Sequence, residues 1–151
     1  MVSAYDFAPT LLAYLGLPCP EDRTMVGTSF LPILRGEKDA GRDSVVIYDE
    51  YGNTRMIRTE DWKYVRRHHD GPSELWDLVN DPDERQNLID DPAQAPRVRE
   101  LRGMLDEWFA RYVDPDLDGL NQQVNGLGQM RPVGRERADA SPAYYRPDTS
   151  E

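Results

Sequence analysis

Apolar residues recur along 98–112 at helical spacing. Val98, Leu101, Met104, Leu105, Trp108, Phe109 and Tyr112 fall on one stripe, and Arg99, Glu100, Arg102, Asp106, Glu107 and Arg111 take the polar side. This predicts an amphipathic helix wide enough to cover one face of a sheet. Gly103 within it costs about 1 kcal/mol relative to alanine. The strand pattern lies upstream. Ser44 to Tyr48 is rich in β-branched residues, Thr54 to Arg58 alternates, and Trp62 to Arg67 places Trp62, Tyr64 and Arg66 on one face. Glu74 to Val79 alternates again before Asn80-Asp81-Pro82 stops it. Gly52-Asn53 and Asp70-Gly71-Pro72 are turn signals between these runs. Strands so closely spaced pair antiparallel. The predicted fold class is α+β: a small four-stranded antiparallel sheet packed by a C-terminal amphipathic helix.

Two helical pieces precede the strands. Asp6 is a predicted N-cap, Pro9 sits in the first turn, and Phe7, Leu11, Leu12 and Leu15 share a face that Gly16 can end. Ser29 is the predicted cap of a short helix carrying Leu31 and Leu34, with Gly36 as its stop. Asp90-Asp91-Pro92 reads as the entry to the last helix. Beyond Asp114 the periodicity fades, and a segment so poor in patterned apolar residues is expected to be extended or disordered unless it lies along another surface.

The 151 residues suit one domain with a tail, and the formal charge of −10 argues against a nucleic-acid backbone as partner. It gives no support for binding an anionic membrane surface either. No apolar stretch reaches the ~20 residues that cross a bilayer. One cysteine, Cys19, cannot form an internal disulfide, and compartment is not readable from it.

Candidate chemistry is sparse. His68-His69-Asp70 suggests a metal site, but neighbouring strand residues point to opposite faces, so the two imidazoles do not converge. Ser3, Ser29 and Ser73 lack a spacing that supports a Ser/His/Asp arrangement. Lys63 is most simply a solvated strand lysine. Asp49-Glu50-Tyr51 with Arg55 has two readings. One is an ordinary cross-strand ion pair. The other places Glu50, Tyr51 and Arg55 at the rim of a neighbouring cleft, where a guanidinium fork suits a tetrahedral oxyanion.

The run Glu74-Leu75-Trp76-Asp77-Leu78 through Asp81-Pro82-Asp83-Glu84 to Asn87-Leu88 resembles the E-L-Y-D-L-x-x-D-P-x-E-x-x-N-L signature near the C-terminus of type I sulfatases, with Trp76 in the tyrosine position. Three other landmarks occur in that family's order. Asp6 to Pro18 resembles D-x-x-P-T-L-L-x-x-x-G-x-P, Gly27 to Gly36 resembles G-x-S-L-x-P-x-L-x-G, and Arg55 to Tyr64 resembles R-x-I-R-T-x-x-W-K-Y. The resemblance, to formylglycine-dependent sulfatases of the alkaline phosphatase superfamily, implies a division of the chain. Residues 1–36 would end the large α/β domain and connect it, 37–112 would be the C-terminal α+β subdomain, and 113–151 a tail. The partner it implies is the missing N-terminal sulfatase domain, which would supply the formylglycine and a calcium-type divalent cation and present a sulfated substrate. In this chain the resemblance implies no cofactor and no catalytic residue. Cys19-Pro20-Glu21-Asp22-Arg23 has Glu21 where the formylglycine motif carries proline or alanine. The expectation is therefore a C-terminal sulfatase fragment, inert alone, lining the substrate cleft. A stand-alone binding or assembly module, and the end-domain of a related phosphoesterase or phosphonate hydrolase, stay open at this point.

Overall fold

A computed structural model describes residues 1–20, 25–37, 41–48, 54–68, 71–115 and 118. Four strands, β1 (Ser44–Tyr48), β2 (Thr54–Thr59), β3 (Trp62–Arg67) and β4 (Glu74–Asp77), form one sheet in the order β1-β2-β3-β4. All neighbours are antiparallel, with Val46 opposite Ile57, Ile57 opposite Tyr64 and Tyr64 opposite Leu75. That row of partners explains the core. It places four large side chains in line on one face, where they meet Leu101, Leu105 and Phe109 of helix α3 (Ala95–Tyr112). Val98, Met104 and Trp108 pack around the edge of the same cluster, as the stripe predicts. The fold is α+β.

β4 ends two residues before the predicted stop. Asp77 Oδ1 accepts the backbone N–H of Val79 at 3.1 Å and of Asn80 at 3.0 Å, so the chain turns there. Such an Asx turn offers the backbone a partner that competes with the ladder. Asp91 accepts from Ala93 N–H at 2.9 Å and caps the short 3-10 turn Pro92–Gln94 that leads into α3.

Helix α1 (Phe7–Leu15) ends at Gly16 in the left-handed region, φ 69°. Its start differs from the expectation. A 3-10 turn, Ala4–Asp6, precedes it, and Asp6 already has helical dihedrals. Its carboxylate does not cap α1; it is drawn elsewhere. Helix α2 (Leu31–Leu34) is one turn long, and Ser29 Oγ accepts the Leu31 N–H at 3.2 Å. The side of α1 that touches protein carries Pro9 and Thr10, both buried, whereas Phe7 is 63 % exposed and Leu15 57 %.

Candidate functional site

The signature 74–88 can be followed group by group. Asp77 opens the turn, with Oδ2 also accepting from Asn80 Nδ2 at 2.8 Å. Those bonds from Asn80 hold the Asp77 carboxyl below its ordinary range. Asp81 Oδ2 then accepts the N–H groups of Arg85 and Gln86, each at 2.8 Å. Asn87 returns the chain to the sheet. Its Oδ1 accepts the Leu75 N–H at 2.9 Å, its Nδ2 donates to Ser73 O, and Leu88 N–H donates to Leu75 O at 2.9 Å. Together these groups occupy both backbone groups of Leu75 on the free edge of β4. Exposed edge strands invite mispairing, and a covering loop is one remedy. Asp77, Asp81 and Asn87 of the signature thus satisfy backbone groups.

Glu84 is the one non-glycine described residue with positive φ, at 53°. This conformation is costly for an L side chain, of the order of 1–2 kcal/mol. Glu84 there pairs with Lys63 across the sheet. Lys63 is therefore not simply solvated, as the sequence suggests: it ties the W-K-Y hairpin to the D-P-x-E turn. Nearby, Arg67 Nη2 reaches Glu74 at 2.6 Å and Trp76 Nε1 donates to Glu74 at 3.2 Å. Arg67 chiefly, then Trp76, holds the Glu74 carboxyl below its ordinary range against the opposing effect of burial.

Among the three candidate rim residues, Glu50 and Tyr51 lie outside the described residues, as do Asp49, His69 and Asp70. Arg55 is described, and it is buried. Its guanidinium stacks over the Phe109 ring at 3.7 Å and pairs with Asp118. Arg66, directly opposite Arg55 in the ladder, pairs with Asp106 of α3 at 2.6 Å. Two cations opposite one another repel, so each has its own carboxylate from C-terminal chain.

A second constellation gathers residues of the N-terminal piece around the segment that leads into β1. Asp6 is 1 % exposed. Its carboxylate accepts the Ser3 and Thr28 N–H groups, each at 2.8 Å, and the fork of Arg42, with Nε at 2.8 and 2.9 Å from its two oxygens. Arg42 Nη2 also donates to Val26 O at 3.0 Å, and its guanidinium lies 4.9 Å from the Tyr5 ring centre. Burial pushes the Asp6 carboxyl up; the hydrogen bonds from Arg42, Thr28 and Ser3 outweigh it and hold the group below its ordinary range. The same pairing raises Arg42. Gly27 belongs to this joint: a Cβ there would lie 1.9 Å from Tyr5 O. The sequence reading missed the pair, because 36 residues separate its members. A lone aspartate in the otherwise uncharged run of residues 1–20 is the sequence signal that points to it.

Against known proteins, residues 1–111 match the family described as N-sulphoglucosamine sulphohydrolase, C-terminal. The chain belongs to that family. It is the C-terminal region of sulfatases of the alkaline phosphatase superfamily. A Delta 4,5-hexuronate-2-O-sulfatase of Bacteroides thetaiotaomicron is 34 % identical over 116 residues, covering 72 % of this chain and 24 % of the relative. The solved structure of BT4656 in complex with its substrate D-glucosamine-2-N,6-O-disulfate superposes with TM-score 0.62 at 29 % identity, over 78 % of this chain and 25 % of that one. The phosphonate monoester hydrolase of Agrobacterium radiobacter superposes with TM-score 0.58 at 29 % identity, over 72 % and 25 %. The chain thus spans about a quarter of the length of these relatives.

Among the described residues, none gather in a way that fits the groups that the family implies. Among the described residues no three His, Cys, Asp or Glu side chains gather where they could hold a cation. Cys19 is a free, exposed thiol followed by Pro20 and Glu21 rather than by the modification motif.

Proposed function

We propose that this chain serves as the C-terminal portion of a sulfuric ester hydrolase, completing its fold and forming one wall of its substrate cleft, while the groups that break the bond belong to a preceding domain. The observation that carries this reading is how the signature residues are used. Asp77, Asp81, Glu84 and Asn87 are all engaged with backbone or with Lys63. A segment so engaged builds a scaffold. The preceding domain would supply the formylglycine and the divalent cation.

The β1–β2 end is the part of the sheet proposed to reach the cleft. Glu50 and Tyr51 lie in that connection, and Arg55 anchors its base beneath Phe109. The proposed substrate class is a sulfate ester borne on a sugar, since two of the similar proteins are named for sulfated sugars. A phosphonate or phosphate monoester is the second reading, favoured by the likeness to the phosphonate monoester hydrolase.

The experiment has two arms. The purified chain is assayed with an aryl sulfate and an aryl phosphonate, and no saturable turnover is expected. The chain is then grafted in place of the corresponding quarter of the Bacteroides 2-O-sulfatase. A folded hybrid with sulfatase activity is expected, and Glu50→Ala or Tyr51→Ala in it should raise KM several-fold while largely sparing kcat. Turnover by the chain alone refutes the scaffold reading. A KM unmoved in both variants refutes the rim assignment.

A further inference from the structure

We propose that Asp6 and Arg42 are positioning residues, a buried joint that fixes the angle between α1 and the α+β unit. The broad contacts of α1 are with the turn before it and with α2. What ties this N-terminal piece to the sheet and α3 converges on a few groups. Tyr5 Oη accepts the Val46 N–H of β1 at 3.2 Å, and its ring lies 6.1 Å from that of Trp108 on α3. Arg42 stands two residues before β1 and grips the Asp6 carboxylate with its fork. The Arg42 N–H donates to Met1 O at 3.0 Å, and the Met1 amino group donates to Arg42 O at 3.2 Å. The joint is therefore bonded through side chain and backbone at one place.

A planar fork on a carboxylate has a defined geometry that a point charge lacks. Four donors on one carboxylate leave it little freedom to swing, and Gly27, next to the donor Thr28, runs so close to Tyr5 O that no Cβ fits there. The charged and titratable groups that face the pair are Tyr5, beneath the Arg42 guanidinium, and Tyr112 of α3, whose influence on Arg42 is electrostatic. Neither competes for the carboxylate. In a full enzyme, α1 would belong to the body and the α+β unit to the cleft wall, so this joint would set where the wall stands. That consequence rests on the proposed function; the joint itself does not.

The test reads a distance across the joint rather than stability. Spin labels are placed at Tyr14→Cys on α1 and Arg99→Cys on α3, both exposed positions, in a Cys19→Ser background. Pulsed dipolar spectroscopy, with the labelled chain diluted into an excess of unlabelled chain so that only couplings within one molecule are read, should give one narrow distance distribution. Asp6→Asn, and separately Arg42→Lys, which keeps the cation but not the fork, should broaden it at least twofold while tryptophan fluorescence shows the sheet and α3 still packed. An unchanged distribution in both variants, with only a lower melting temperature, overturns the proposal. If Asp6→Asn does not fold, Arg42→Lys decides alone, and loss of the fold in both overturns it as well, since the pair would then be a core stabiliser. Because the measurement uses the chain by itself, its failure is distinct from failure of the hybrid enzyme.

Discussion

Asn87 shows what one amide can do at a sheet edge. It accepts from Leu75 and Ile89 and donates to Ser73. Leu75 is fully buried, so its N–H has no solvent to turn to. Asn87→Ala is expected to cost about 1–3 kcal/mol, the penalty for an unsatisfied buried donor. Urea unfolding monitored by tryptophan fluorescence checks it. Asp6 makes a different kind of prediction, in pH. Its folded carboxyl is held below the ordinary range, and an unfolded aspartate titrates near about 3.9. Above that value the group contributes its full stabilisation. As pH falls the unfolded chain takes up the proton first, and the contribution is lost on the way down through the folded value. Glu74 and Asp77 are depressed too and act with the same sign. Unfolding free energy should therefore be level from about pH 7 to 5 and fall steeply below about pH 4. Asp6→Asn should lower the plateau and flatten part of the acid slope.

The elements themselves were largely legible, and the places where they were not have physical causes. β1 and β3 run as their β-branched and aromatic content suggests, although their burial does not alternate: Val45 with Val46, and Tyr64 with Val65, are adjacent buried pairs. The α3 stripe predicted its buried residues, since Leu101, Leu105 and Phe109 lie along its centre. Leu105→Ala, at a site with no exposure, should cost about 2–5 kcal/mol by denaturant melt. β4 stops two residues short of its sequence pattern because hydrophobic character continues through Val79 while Asp77 has already claimed the backbone. The start of α1 departs from its local pattern for a related reason. Asp6 has the chemistry of a cap, but Arg42 offers it a stronger, distant partner. Positive φ at Glu84 and the return of Asn87 to β4 could not be seen in local pattern, since both depend on where the sheet lies. Gly27 looked like a motif letter; packing makes it a close approach to Tyr5, so Gly27→Ala should force the connector away and lower the melting temperature by several degrees. The candidate rim was legible only in kind, because Glu50 and Tyr51 fall outside the described residues.

At the scale of the molecule, the distribution of exposed apolar surface is uneven. Phe7, Leu11, Tyr14, Leu15 and Leu17 are all exposed on or just after α1, and Leu34 of α2 is exposed as well. α1 itself carries no charged residue. Elsewhere the chain is strongly acidic, with a net charge of −10. Scattered apolar residues are ordinary on a surface, but a contiguous group on an uncharged helix is the mark of a face that meets other protein. If α1 is covered in a full enzyme, the chain alone exposes that face and should self-associate in spite of its charge. Leu11→Lys with Leu15→Lys places two cations on the face while leaving in place Pro9 and Thr10, the buried residues of α1, and every member of the Asp6 joint. The doubly substituted chain should shift from a concentration-dependent mixture to a monomer in sedimentation velocity, while its urea midpoint stays within the error of the unsubstituted chain. The two measurements separate the causes. A fall in the midpoint would mean that these leucines belong to the core of this chain, and a monomer before substitution would mean that the face needs no cover.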